Sequence, residues 1–142
     1  MHLSIIRILL ALSFVLPFGG LARADESAAV KAGQAIIAQQ IEAFRHDDGA
    51  TAFSFAAPEV QLKFQNPDIF MMMVKQGYAP VYRPQSYQFT KSLEAGGVIS
   101  QIVDLTTSNG EYWIAEYGLR VMPDGSIRIV GCQLKKRDGV GA

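Results

Sequence analysis

A single cysteine, Cys132, stands in the 142 residues, so no disulfide can form within the chain. Histidine is nearly as scarce, with His2 and His46 the only two. A closed zinc site draws a tetrahedral ligand set from Cys, His and carboxylates, and this chain cannot readily assemble one. His46-Asp47-Asp48 reads instead as a helix ending followed by the next helix cap, because three consecutive residues rarely converge on one ion. No metal or other cofactor is expected. No basic run precedes Lys135-Lys136-Arg137, which excludes the clustered cationic face that a nucleic-acid partner needs. No glycine-rich loop follows a strand, so nucleotide binding has no support. The hydroxyls of Ser54, Ser100 and Ser126 lack a His–acid relay, which sets a serine hydrolase aside. Internal repeats and low-complexity segments are missing as well.

The N-terminus, by contrast, is well marked. His2 and Arg7 give a weakly basic start, Ile8 to Leu16 form a short apolar run, and Ala22-Arg23-Ala24 is a small-x-small cleavage site. That order is the plan of a secretory signal peptide over residues 1–24. Its apolar run is shorter than the ~20 residues a membrane span takes. No cysteine follows the cleavage point directly and no Arg-Arg pair occurs, so lipid anchoring and twin-arginine export have no basis. The expected product is exported, to the periplasm or the medium, with no membrane attachment after cleavage. Removing 24 of 142 residues leaves 118, one domain over 25–142. A chain of that length hides roughly two-thirds of its unfolded surface, enough for a self-sufficient core. Of 13 basic residues Arg7 and Arg23 leave with the leader, so 11 face 13 acids and the mature net charge is −2.

The mature part divides into a helical first half and a strand-rich second half, the pattern of an α+β domain. Val30, Ile37, Ile41 and Phe44 stack on one face of a helix predicted from about Ser27 to His46. Short helices are predicted over Ala50 to Phe55 and Pro58 to Phe64. A further one begins at Asn66-Pro67-Asp68 and stops at Gly77. Pro80 and Pro84 make Tyr78 to Pro84 extended. Four strands follow, Ser86 to Leu93, Val98 to Thr107, Glu111 to Met122 and Ile127 to Lys135. Gly96-Gly97, Asn109-Gly110 and Pro123-Asp124-Gly125 turn them into an antiparallel meander.

Turn length decides which side chains share a face. A two- or four-residue loop at Asn109-Gly110 places Val98, Ser100, Ile102 and Asp104 with Trp113, Ala115, Tyr117, Leu119 and Val121. A three-residue loop at Pro123 to Gly125 adds Ile127, Ile129, Gly131 and Gln133. This Trp113 face is assigned to the helices. The opposite face then holds Ile99, Val103, Leu105, Tyr112, Ile114, Val130, Cys132 and Leu134 among Gln101, Glu116, Arg120 and Arg128. So apolar an outer face predicts a homodimer through the sheet. Cys132 reads as a small apolar filler, with neither a cationic neighbour nor a second cysteine to activate it.

Three stretches carry a resemblance: Phe55-Ala56-Ala57-Pro58-Glu59-Val60-Gln61, Phe70 to Val74, and Gly77-Tyr78-Ala79-Pro80-Val81-Tyr82-Arg83-Pro84. With Asp124-Gly125-Ser126-Ile127-Arg128-Ile129-Val130-Gly131-Cys132 they resemble a small exported bacterial family, domain of unknown function 4864. Ile127 departs from the tryptophan expected there. The likeness runs from about Ile36 to Leu134, and the Tyr-x-Pro-Val-Tyr-Arg-Pro stretch is its most specific part. It implies the cystatin-like cone of nuclear transport factor 2-like proteins, with N-terminal helices packed on a curved four-stranded antiparallel sheet. It implies no activity, because that superfamily holds enzymes, binders and association domains alike.

Two sets of residues carry candidate chemistry. Asp104, on the face assigned inward beside Trp113 and Ala115, is the candidate acid or base, since apolar enclosure raises a carboxyl pKa. Tyr78, Tyr82, Arg83 and Tyr87, with Trp113 and Tyr117, are the candidate lining of a pocket for a small aromatic or acidic ligand. Tyrosines covering a core edge, and Arg83 paired with a nearby acid, account for the same composition. Met71-Met72-Met73 points to adaptable packing. Three readings stand open. One is a non-catalytic exported domain binding a small organic molecule. Another is a proton-transfer enzyme of isomerase or dehydratase type using Asp104. The last is a structural dimerisation module whose cavity is filled by Phe and Met side chains.

Overall fold

The computed structural model describes residues 26–138, and the predicted leader at 1–24 lies outside the described residues. Helix α1 spans Ala28–Arg45, and Ser27 Oγ caps it by accepting from Val30 N at 3.1 Å. Helices α2 (Gly49–Ser54), α3 (Pro58–Phe64) and α4 (Pro67–Gly77) follow. Asp48 caps α2 through Thr51 N at 3.1 Å, and Asn66 caps α4 through Ile69 N at 3.0 Å. These caps satisfy amide groups that a helix start otherwise leaves without partners. The segment predicted to be extended after Tyr78 instead holds a one-turn helix, α5 (Ala79–Tyr82). Pro80 sits in its first turn, where a missing N–H costs nothing, and Pro84 follows its end. The sheet is a meander in the order β1 (Ser86–Ala95), β2 (Val98–Thr106), β3 (Tyr112–Val121) and β4 (Ile127–Arg137), all antiparallel.

Val30, Ile37, Ile41 and Phe44 are all buried, so the predicted apolar stripe of α1 is the one that lies on the sheet. On the sheet itself, one assumption about loop length fails. Thr106 pairs with Tyr112, and Thr107 N donates to Glu111 O at 2.9 Å, which closes a three-residue loop of Ser108-Asn109-Gly110. Gly110, at φ +82°, takes the left-handed position such a loop needs. An odd loop pairs odd residues with odd, so Val103 faces Ala115 and Leu105 faces Trp113. Ile99, Gln101, Val103 and Leu105 therefore turn inward, and Val98, Ser100, Ile102 and Asp104 turn away from the helices. The β3 side of the prediction holds, with Ala115, Tyr117 and Leu119 in the core.

A second correction arises in β4. Ile127 and Ile129 are buried as predicted, but Ile129 pairs with Leu119 and Gly131 with Gly118, leaving Val130 as an extra residue. Such a bulge reverses which residues face the core. Cys132 and Leu134 turn inward, while Gly131 and Gln133 are exposed. Gly118 makes room for it, because a Cβ there would stand 3.1 Å from Val130 Cγ2. Of the predicted apolar groups the outer face keeps Tyr112 and Ile114 and loses Ile99, Val103, Leu105, Cys132 and Leu134, while Val98 and Ile102, predicted inward, join it.

A bulge in β1 between Phe89 and Ser92 explains the buried Gln101. Its Nε2 donates to Lys91 O at 3.1 Å, inside the irregular stretch, and to Ile102 O at 2.9 Å. Its Oε1 accepts from Gln34 of α1 at 3.0 Å. A core glutamine is thus fully engaged, as burial demands. At the other edge, Ala57 N donates to Ile129 O and Ile129 N to Phe55 O, each at 2.8 Å. The link between α2 and α3 thereby extends the sheet by one parallel bridge at Ala56 and holds α3 beside β4.

Candidate functional site

None of the seven residues of α3 is buried. Polar ties hold it in place: Gln61 Nε2 donates to Phe53 O at 3.2 Å and to Ala56 O at 3.0 Å. Glu59 meets Arg120 at 2.7 Å. A helix anchored by its polar groups, with Phe64 alone packed against the core cluster and no residue fully buried, leaves space behind it. That space is a cavity of about 730 Å³. Phe44 and Gln40 of α1 form one wall, Phe70, Met73 and Val74 of α4 another, and Tyr78 and Val81 continue it. Tyr117 of β3 and Ile129, Val130 and Cys132 of β4 supply the sheet side. Glu59, Val60, Lys63 and Phe64 belong to α3. Phe70 organises the aromatic wall, with ring centroids 5.3 Å from Phe53, 5.9 Å from Phe64 and 6.3 Å from Phe44.

Two side chains give the sheet side its chemistry. Tyr117 is 1% exposed, and among the described residues its hydroxyl is a sealed side-chain polar atom with no hydrogen-bond partner. Burial pushes its pKa well above the usual phenol value, and the nearby Cys132 and Tyr87 act in the same direction. The Cys132 thiol, opposite Tyr117 in the register, acts on that titration through charge and as a side-chain hydrogen-bond neighbour, in a contact that falls short of a well-formed hydrogen bond. Burial pushes the thiol itself up to about 12, with Tyr117 a smaller opposing influence. Both groups are neutral at physiological pH. A thiolate so disfavoured is a poor nucleophile. Cys132 in the folded protein at pH 8 should react with a disulfide reagent roughly a hundredfold more slowly than free cysteine. Stopped-flow assay before and after denaturation checks this, and equal rates would contradict the buried-thiol assignment.

The chain matches a family described as Domain of unknown function (DUF4864) over residues 26–142. It belongs to that family. No curated protein matches the chain. Among solved structures, an NTF-2 like protein of unknown function from Silicibacter pomeroyi DSS-3 is similar to it. The two are 15% identical, covering 76% of this chain and 95% of the other, with a TM-score of 0.54. An NTF2-like protein of unknown function from Burkholderia pseudomallei K96243 is 14% identical over 75% of this chain and 91% of its own, with a TM-score of 0.38. The DUF4864 domain accordingly has an NTF2-like α+β fold, as the resemblance in its sequence implies.

In the DUF4864 domain the six predicted pocket residues separate. Tyr78 and Tyr117 line the cavity. Tyr82 and Arg83 lie outside it and fasten the end of α1 to α5. The Tyr82 hydroxyl donates to Asp47, Arg83 Nη2 meets Asp47 Oδ2 at 2.7 Å, and Lys75 Nζ stands 3.7 Å from Oδ1. Asp47 holds this position at φ +52°, a left-handed conformation that aspartate tolerates better than most residues. Tyr82 first, then Arg83 and Lys75, hold its carboxyl below the usual 3.8. A depressed folded pKa contributes stability above the unfolded value, and this is lost as pH falls through the folded value. Asp47→Asn should flatten the acid limb of the stability profile below about pH 4. Urea melts from pH 2 to 7 read the change, and an unaltered limb would remove Asp47 as its source.

Tyr87 and Trp113 line a separate cleft of about 410 Å³ with Asp104 and Arg137. Trp113 Nε1 donates to Glu111 at 3.0 Å, and Tyr87 lies under the Arg45 guanidinium, 5.9 Å from ring centroid to Cζ. Asp104 is the clearest correction. Its side chain is 39% exposed on the outer face, 3.5 Å from Arg137. The apolar enclosure on which its acid–base role rested is absent, because the odd loop turned β2 over. Most of the cavity lining lies outside the predicted set, and Gln40 is its buried polar member. It interrupts the stripe Ile37, Ile41, Phe44 from within, and a polar residue at such a position is the signal that was available. Its Nε2 donates to Ala52 O at 3.1 Å, and among the described residues nothing donates to its Oε1.

Proposed function

We propose that this DUF4864 domain is a non-catalytic, exported binding protein whose cavity between α3, α4 and the sheet takes a small, largely apolar molecule. The observation that carries the reading is the volume of about 730 Å³ behind aromatic and methionine walls, which lies within the range of small-molecule sites. A module whose interior is filled by its own Phe and Met side chains does not account for that space. The proton-transfer reading has lost the enclosure it required at Asp104.

N-phenyl-1-naphthylamine, an uncharged fluorophore, should bind once per chain with micromolar affinity. Met73→Trp, which fills the cavity from α4, should weaken binding by about tenfold or more through lost volume. Absence of binding, or binding indifferent to Met73→Trp, defeats the proposal. For export, the product recovered outside the cytoplasm should begin at Asp25, which intact mass reads directly.

We also propose a second copy of the chain as partner on the outer sheet face, on a narrower footing than the sequence offered. Val98 and Tyr112 are exposed there at 55% and 48%, with Ile102 and Ile114 half-buried between them. A strict monomer in light scattering at high micromolar concentration ends this part.

A further inference from the structure

We propose that the cavity selects uncharged molecules bearing a hydroxyl group, which donates its O–H to the side-chain oxygen of Gln40. This rests on the binding reading above and adds to it the chemistry of the bound end. Gln40 lies on the buried face of α1, is 4% exposed and borders the cavity. A backbone carbonyl only accepts, so the amide turns its nitrogen to Ala52 O at 3.1 Å. That contact settles which end of the amide is left over. Oε1 is the end without a donor among the described residues.

Reach separates this oxygen from the other buried polar group of the cavity wall. The Tyr117 hydroxyl is sealed from solvent and beyond the touch of any occupant. It is the sole sealed side-chain polar atom without a partner among the described residues, so Gln40 Oε1, equally without a donor, keeps accessible surface. On a side chain buried to this degree, that surface opens into the cavity it borders. An apolar occupant displaces water from the oxygen and leaves it in the costly state of a buried polar atom without a partner. An occupant that brings a donor avoids this loss.

The donor is an uncharged one. Among the side chains bordering the cavity, Glu59 and Lys63 alone are ionised, and both are exposed on α3. Glu59 is already paired with Arg120 at 2.7 Å. An ammonium carried in to Gln40 would shed its hydration against a single neutral oxygen, a net loss. An ether or a ketone would set one acceptor against another. A hydroxyl sheds little hydration and gains a hydrogen bond. Phe44 follows Gln40 by one turn on the same face of α1, and its ring centroid lies 6.3 Å from that of Phe70. A hydroxylated aromatic ring therefore meets aromatic walls beside the acceptor.

The test titrates 2-naphthol, 2-methoxynaphthalene and 2-methylnaphthalene at pH 7 into the processed protein and into Gln40→Met. Methionine keeps the length of the side chain without its amide, and Ala52 O retains the Phe55 N–H at 3.4 Å, so the variant should fold. Naphthol affinity should fall at least about fivefold in Gln40→Met, while the ether and the hydrocarbon hold within about twofold and so report an intact cavity. In the unaltered protein the carbon-13 resonance of the Gln40 side-chain carbonyl should move further downfield with naphthol than with its methyl ether, a readout independent of any variant. Naphthol holding its affinity in Gln40→Met, or equal carbonyl shifts with naphthol and ether, would each overturn the inference while leaving the binding reading standing. Where the variant weakens all three probes alike, the carbonyl shift decides. Failure of all three to bind the unaltered protein overturns the binding reading itself.

Discussion

Val103→Lys should unfold the domain, while Ile102→Lys, one residue earlier, should leave it folded within about 1 kcal/mol. Val103 is wholly inaccessible on β2, between Phe89 and Ala115 in the register. A lysine there buries an ammonium with no partner, a loss of roughly 3–5 kcal/mol beyond the valine packing it removes. That is comparable to the whole stability of a small domain, about 5–15 kcal/mol. Ile102 faces the other way and lies opposite Glu116. A lysine at 102 stays hydrated and gains a cross-strand partner of opposite charge. Thermal melts by circular dichroism distinguish the two at once. Had the Asn109-Gly110 loop held an even number of residues, the outcomes would be exchanged, so the pair also tests the register.

The loop shows where sequence patterning stops. Alternation along β2 gives two sets, Ile99-Gln101-Val103-Leu105 and Val98-Ser100-Ile102-Asp104, and a single residue of loop length decides which of them is buried. Bulk identifies the Trp113 side of β3 as the inner one, whereas an even loop gives β2 the opposite parity to the three-residue loop observed. The Val130 bulge is harder still to read in advance, since it depends on Gly118 across the ladder, 12 positions earlier in the chain. Helix limits were far more legible because their determinants are local: Ser27, Asp48 and Asn66 each cap the helix that follows. Tyr78 and Tyr117, candidates on composition, border the cavity. Tyr82 and Arg83 share that composition, yet Asp47 draws them elsewhere. What no local pattern conveys is that α3 sends only Phe64 against the core and has no fully buried residue, so that the cavity lies beside it.

Tyr117→Phe should raise the stability of the protein without ligand by about 1–3 kcal/mol, the cost assigned to a buried hydroxyl that has lost its partners. The buried ring is unchanged, and only an oxygen inaccessible to solvent is removed. The midpoint of thermal unfolding should climb by several degrees for a domain of this length. A loss of 1 kcal/mol or more would instead mean that the hydroxyl already has a partner in solution. Most core substitutions destabilise, so a gain at one of the most deeply buried positions of the sheet carries information. It would mark the Tyr117 hydroxyl as a group retained at the expense of folding. A gain with the binding of N-phenyl-1-naphthylamine unchanged identifies the hydroxyl as an uncompensated defect in the core.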